Sequence, residues 1–173
     1  MNCLVLLAKS TVENYINTGK IIRTPKDFPK EFLEEKSGVF VTIMKNNELR
    51  GCIGTYLPTR ENIIQEVIYN AVAAATEDYR FGPIQREELP HLSYTVYALK
   101  APELVKDLKD LDPKKYGIIV KTAATPLKSG LLLPDLDGID TIEQQVSICC
   151  QKSGINPKEE KIVIYKFTVK KYS

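Results

Sequence analysis

Tryptophan is missing from this chain of 173 residues, histidine occurs once and methionine twice. One imidazole cannot supply the recurring nitrogen ligands of a zinc centre, and His91, set between Pro90 and Leu92, suits a hydrogen-bonded residue at the start of a strand better than a ligand or base. Cysteine is also scarce. Cys3, Cys52, Cys149 and Cys150 form no C-x-x-C pair and lack the spacing of a secreted disulfide scaffold, so reduced thiols are expected. The chain has no C-x-x-x-C-x-x-C cluster string, no P-loop and no G-x-S-x-G, which disfavours the standard iron–sulfur, nucleotide and serine-hydrolase chemistries. The sequence names no metal and no cofactor.

Long apolar runs are missing too. The longest N-terminal stretch, Leu4 to Ala8, is closed by Lys9 and soon followed by Glu13, too short for a signal-peptide core or a bilayer span, so a cytoplasmic protein without a membrane partner is expected. Nor does one sign of charge dominate: 24 Lys plus Arg against 22 Asp plus Glu leave a formal charge of +2, too balanced for broad phosphate neutralisation. The lysines at 158, 161, 166, 170 and 171 are interspersed with Glu159 and Glu160, the pattern of a solvated face rather than a nucleic-acid track. What is present suits a folded domain: 43% hydrophobic and 27% charged residues match soluble globular usage. No repeat and no Gly/Ser linker divides the chain, so any second lobe must be intertwined with the first.

Periodicity places the elements. Leu4, Leu7, Ala8, Val12, Tyr15 and Ile16 recur at helical spacing from Cys3 to Asn17, with Gly19 where a left-handed cap would sit. Thr24 to Lys36 suggests an extended link or short helical turn. Gly38 to Met44, the turn Lys45 to Glu48 and Leu49 to Gly54 read as a β-hairpin. A helix is expected over Glu61 to Asp78 with Thr59 as its N-cap, then a loop through Gly82-Pro83, at most a helical turn at Arg86 to Pro90, and a strand over Leu92 to Leu99. Gly117 to Val120 and Gly130 to Leu133 should pair as short buried strands. Asp140 with Glu143 signals a helix that carries Ile142, Val146, Cys149 and Cys150 on an apolar face and closes at Gly154. Ile162 to Val169 supplies a closing strand, which can return beside the early hairpin. The sum is an α+β fold, a largely antiparallel sheet covered by helices.

Two segments could carry chemistry. In Leu49-Arg-Gly-Cys-Ile-Gly54 two glycines flank one cysteine, which implies either a bulge or close approach of something to the backbone. Arg50 could then stabilise a thiolate or an anion if the strand bends. Spacing alone favours the plainer alternative, a core cysteine in a twisted strand. In Glu77-Asp-Tyr-Arg-Phe-Gly-Pro83, Arg80 could sit over a pocket with Phe81 as anchor, or simply pair with Asp78 at the surface. Gly51-Cys-Ile-Gly54 has the outline of an RNA-clamping loop, but that loop joins helices whereas this string ends a predicted strand, so nucleic acid remains a distant third.

Leu49 to Gly54 resembles the most distinctive string of the AMMECR-domain family, whose prokaryotic members are called AmmeMemoRadiSam system protein A. Val41-Thr-Ile43, Asn70 to Ala75, Asp78 to Phe81 with Pro83, Glu87 to Pro90, Gly117 to Val120, Gly130 to Pro134, Gln145 to Gly154 and Tyr165 to Thr168 follow in family order, so the resemblance spans essentially the whole chain as one domain. It implies a larger lobe from both termini, a smaller lobe from the middle, and a cleft between them. Arg50, Gly51, Cys52, Gly54, Asp78, Arg80 and Phe81 would line that cleft, which shifts the balance toward a functional Cys52. The chain departs from the family at Asp112 to Tyr116, which is Lys-rich, and at Ala123 to Lys128, which replaces a Gly- and Arg-rich turn. The family name implies association with a Memo-like protein and a radical SAM enzyme. Two functions follow as expectations: an accessory or thiol-dependent enzyme with Cys52 as nucleophile or radical-accepting thiol and an arginine holding a small anionic ligand, or a non-catalytic binding scaffold.

Overall fold

Cap chemistry sets the ends of the first helix. In α1 (Cys3–Thr18) the Asn2 side chain accepts the Leu4 N–H at 2.9 Å, and Gly19, at φ 70°, donates its own N–H to the Tyr15 carbonyl at 2.7 Å. A short α2 (Lys30–Glu34) follows in the Pro-containing link. The computed structural model describes residues 2–173 and divides them into two units, one ending at Leu99 and resuming at Lys170–Ser173, the other Lys100–Val169.

In the first unit β1 (Gly38–Lys45) and β2 (Glu48–Gly54) form the expected hairpin. Its turn places Asn46 and Asn47 at φ 52° and 66°, the left-handed pair that asparagine tolerates and that suits strand twist. β3 (Leu92–Leu99) pairs antiparallel along the whole of β1, and a final short strand, β8 (Val169–Tyr172), completes the order β2-β1-β3-β8. Side-chain alternation divides the faces of this sheet. Val39, Val41, Ile43, Tyr94, Val96 and Ala98 are buried in one core with Leu4, Ala8 and Val12 of α1 and with α3 (Ile63–Thr76). Phe40, Thr42, Thr95 and Tyr97 alternate with them and stay partly accessible.

The third helix starts later than its periodicity predicts, and Asn62, not Thr59, is its cap: the Asn62 side chain accepts the Gln65 N–H at 3.1 Å. The reason is Glu66. Its carboxylate, 1% exposed, accepts the backbone N–H groups of Thr59 and Arg60, together with the Thr55 hydroxyl at 3.2 Å, so Thr59 belongs to a loop pinned against the helix.

In the second unit β4 (Glu103–Leu104), β5 (Gly117–Thr122), β6 (Ser129–Leu132) and β7 (Ile162–Phe167) make a sheet of order β4-β7-β5-β6. The predicted β5–β6 hairpin is present, with Ile119 opposite Leu131. α4 (Ile142–Lys152) is capped one residue later than expected: Thr141 Oγ1 accepts the Gln144 N–H at 3.2 Å and Gln144 Oε1 accepts the Thr141 N–H at 3.0 Å. The single closing strand expected over Ile162 to Val169 is two, since β7 pairs with β5 through Phe167 and β8 joins the first sheet. Cys149 and Cys150 are core residues, 0% and 2% exposed, and burial pushes the Cys149 thiol up to about 11. Among the described residues no helix is long and apolar enough to cross a membrane.

Candidate functional site

The strand that carries the glycine-flanked cysteine contains a β-bulge. Ile43 lies opposite Gly51 and Met44 opposite Leu49, which leaves Arg50 as the extra residue and bends β2 there. The freed arginine turns onto the chain itself. Its Nε and Nη2 each donate to Glu88 at 2.9 Å, while Nη1 reaches the Gly82 carbonyl at 3.1 Å and Nη2 the Pro83 carbonyl at 3.2 Å. Lys45 Nζ adds a third cationic contact to Glu88 at 2.9 Å. Every nitrogen of the Arg50 guanidinium is therefore engaged, and the group braces β2 against the loop 82–88.

Neither glycine leaves room for a visitor, because the protein's own backbone fills both spaces. A Cβ on Gly51 would meet the Ala74 carbonyl oxygen of α3 well inside contact distance, and one on Gly54 would meet the Val39 carbonyl and Phe40. Gly51 thus lets β2 lie directly on the helix. Gly54 lets it pair closely with β1.

Between them Cys52 lies opposite Thr42, with its Sγ 3.2 Å from the Thr42 Oγ1. Its backbone is gripped at both ends. The Cys52 N–H donates to Asp78 Oδ2 at 2.9 Å, and Arg80 Nη2 approaches the Cys52 carbonyl at 3.4 Å. Asp78 and Arg80 in turn form a two-pronged pair, Nε to Oδ1 at 2.9 Å and Nη2 to Oδ2 at 2.7 Å. The expected pairing of these two residues occurs, but it also contacts the N–H and the carbonyl of Cys52, and Asp78 is only 4% exposed. Arg80 lies 5.2 Å from the Phe81 ring centroid, and Tyr79 beside it is 95% exposed.

Electrostatics follow from these contacts. The Arg80 hydrogen bonds, opposed by burial and helped by the Cys52 N–H, hold the Asp78 carboxyl down at about 2, and the Arg50 fork does the same for Glu88. Both carboxyls titrate lower in the folded chain than in the unfolded one. Their stabilisation is fully present above the unfolded values of 3.8 and 4.5 and is lost as pH falls toward 2. For Asp78 the difference corresponds to about 2 kcal/mol. Urea midpoints measured from pH 6 downward should hold level and then fall between roughly pH 4.5 and 2, and Asp78→Asn should flatten part of that fall.

Glu88 and Thr42 are the site residues that sequence reasoning missed. Glu88 stands 38 residues from Arg50, and no local pattern couples them. Strand alternation does put Thr42 on the face away from the core, a signal that was available in the sequence. His91 ends the helical turn Arg86–His91 just before β3, and its carbonyl accepts the Asn46 N–H at 3.4 Å. The strand register puts it beyond Lys45, more than about 10 Å along β1 from Thr42, so it does not serve Cys52 as a base. A cavity of about 800 Å³ lies elsewhere, in the second unit, lined by Leu108, Ile142, Val146, Cys150, Ile155 and Pro157 among others, and holds none of the motif residues. Among the described residues no three of His, Cys, Asp or Glu assemble as a metal-ligand set.

The chain is similar over most of its length to several proteins. It is 46% identical over 162 residues to a Thermotoga maritima protein, covering 93% of this chain and 91% of that one. It is 40% identical to a Clostridium acetobutylicum protein, where the match takes in 97% of this chain but 35% of the relative. The crystal structure of an uncharacterized protein from Pyrococcus horikoshii superimposes with a TM-score of 0.88 at 36% identity, covering 97% of this chain and 88% of that one. The family model described as AMMECR1 matches residues 5–172, and the chain belongs to the AMMECR1 family.

Proposed function

We propose that this protein is a cytoplasmic accessory whose working group is the Cys52 thiol, a nucleophile or radical-accepting sulfur, acting with a Memo-like protein and a radical SAM enzyme. One observation carries this reading: a buried carboxylate and its arginine are spent on holding both the N–H and the carbonyl of a single residue, and that residue is Cys52. Strand pairing alone would hold an ordinary core residue. Thr42 Oγ1 beside the sulfur supplies a hydroxyl donor to a thiolate. A second reading, a binding module in which Cys52 serves shape, is favoured by the pairing of Arg50 and Arg80 with carboxylates of the same chain.

Alkylation of the folded chain with iodoacetamide across pH, mapped by mass spectrometry, separates the two. The thiol reading expects Cys52 to react with an apparent pKa below the reference of about 8.5 and faster than Cys3, with Cys149 and Cys150 protected until unfolding. A Cys52 no faster than Cys3 supports the scaffold reading.

A further inference from the structure

We infer that Arg80, and not Arg50, is the group that selects what reaches Cys52, and that the thiol's substrate is a small electrophile bearing one negative charge. The inference rests on the thiol reading above and adds the class of substrate. The two arginines of the site differ in what they have left to give. Arg50 has a side chain 14% exposed, and its Nε, Nη1 and Nη2 all donate within the chain. Arg80 is 41% exposed; its backbone N–H donates to Asp78 Oδ1 at 3.2 Å, and its guanidinium meets Asp78 through Nε and Nη2. Its Nη1, with two N–H donors, has no hydrogen-bond partner among the described residues.

The orientation of that free nitrogen is fixed from two sides. Asp78 occupies one edge of the guanidinium and is itself buried, so an anion arriving from solvent meets Nη1 before it meets the carboxylate. The contact from Nη2 to the Cys52 carbonyl ties the same planar group to the residue that bears the thiol, and the Thr42 hydroxyl stands on the sulfur from the neighbouring strand. The Phe81 ring, 38% exposed, lies beside the guanidinium and provides an apolar surface for the body of a ligand. Arg80 also keeps its proton more firmly than an ordinary arginine, through the Asp78 hydrogen bonds and charge and against burial, so it stays a cation at any working pH. A cationic donor edge, a hydroxyl and a thiol thus converge on one residue of β2.

Two alkylating reagents of the same chemistry but different charge test this. Iodoacetate and iodoacetamide both react by attack of the Cys52 thiolate on the methylene carbon: the S–C bond forms as the C–I bond breaks, iodide leaves with the bonding pair, and the thiol proton has gone to water. Only iodoacetate carries the anion. The ratio of the two rates at Cys52 in the folded chain, divided by the same ratio at Cys52 in the urea-unfolded chain, removes the reagents' intrinsic difference. The expected value lies above one and reaches at most about fivefold, the factor that an unopposed unit-charge contact near 4 Å contributes in water, because the Asp78 charge beside Arg80 acts against it. It should fall toward one in Arg80→Gln, persist in Arg80→Lys, and fall in the unaltered chain when inorganic sulfate is added, with the iodoacetamide rate unmoved. The sulfate arm stands even if Arg80→Gln does not fold. A normalised ratio of one, insensitive to sulfate, overturns the role of Arg80 while leaving a reactive thiol. If neither reagent modifies Cys52 in the folded chain, the thiol reading itself fails.

Discussion

A Gly51→Val chain is expected to lose about 3 kcal/mol of stability, with the loss centred on the first unit. The position is sealed by backbone. Its Cβ would press on the Ala74 carbonyl oxygen, a backbone atom of α3, so the helix cannot yield by rotating a side chain. Relief requires β2 to move off α3, which would also break the Arg50 and Cys52 contacts that depend on the bulge. Urea denaturation gives the size of the loss. Amide exchange at β1 and α3 shows where it falls, with the residues facing Gly51 losing protection first. Gly51→Ala should lose less, because it adds one carbon against the helix where valine adds three. A valine variant as stable as the parent would show that β2 can shift from the helix without cost.

The second large effect is expected from Asp78→Ala, about 3 kcal/mol, because removal of the carboxylate leaves the Cys52 N–H and three donors of Arg80, its backbone N–H, Nε and Nη2, without their acceptor. Asp78→Asn keeps an oxygen for the Cys52 N–H and Arg80 Nη2 but loses the charge and the second acceptor, which serves Arg80 Nε, so it should lose less than the alanine variant, about half as much. The two variants separate folding from positioning. If the grip on the Cys52 peptide orients the thiol, the folded fraction of Asp78→Ala will alkylate Cys52 at a rate approaching that of the unfolded chain, whereas Asp78→Asn will stay near the parent. Equal rates in all three would mean that strand pairing alone places the sulfur.

Much of the fold was readable from the chain. The helix from Cys3 with its Gly19 cap, the hairpin at Asn46 and Asn47, the strand at Leu92 and the paired strands at Gly117 and Gly130 all appear where periodicity and turn chemistry put them. Each is decided by neighbours a few residues apart, so a linear reading sees all the forces involved. Boundaries failed where a distant partner intervened. Thr59 has good cap chemistry, but Glu66 takes the N–H groups at 59 and 60, and the cap passes to Asn62. The last strand divides at Thr168 because its two parts pair in different sheets, a choice no local pattern records.

The site divides along the same line. By itself the sequence determined the residue types: a lone cysteine between glycines, two arginines, an aspartate after the long helix, and the resemblance that joined them. Only the tertiary structure decided their roles. Arg50 is spent on Glu88 across 38 residues of chain, Arg80 keeps one nitrogen free, and the two glycines yield to backbone rather than to a ligand. The physical reason is that charge pairing and steric closure act through space, between groups whose separation along the chain carries no information about the separation folding gives them.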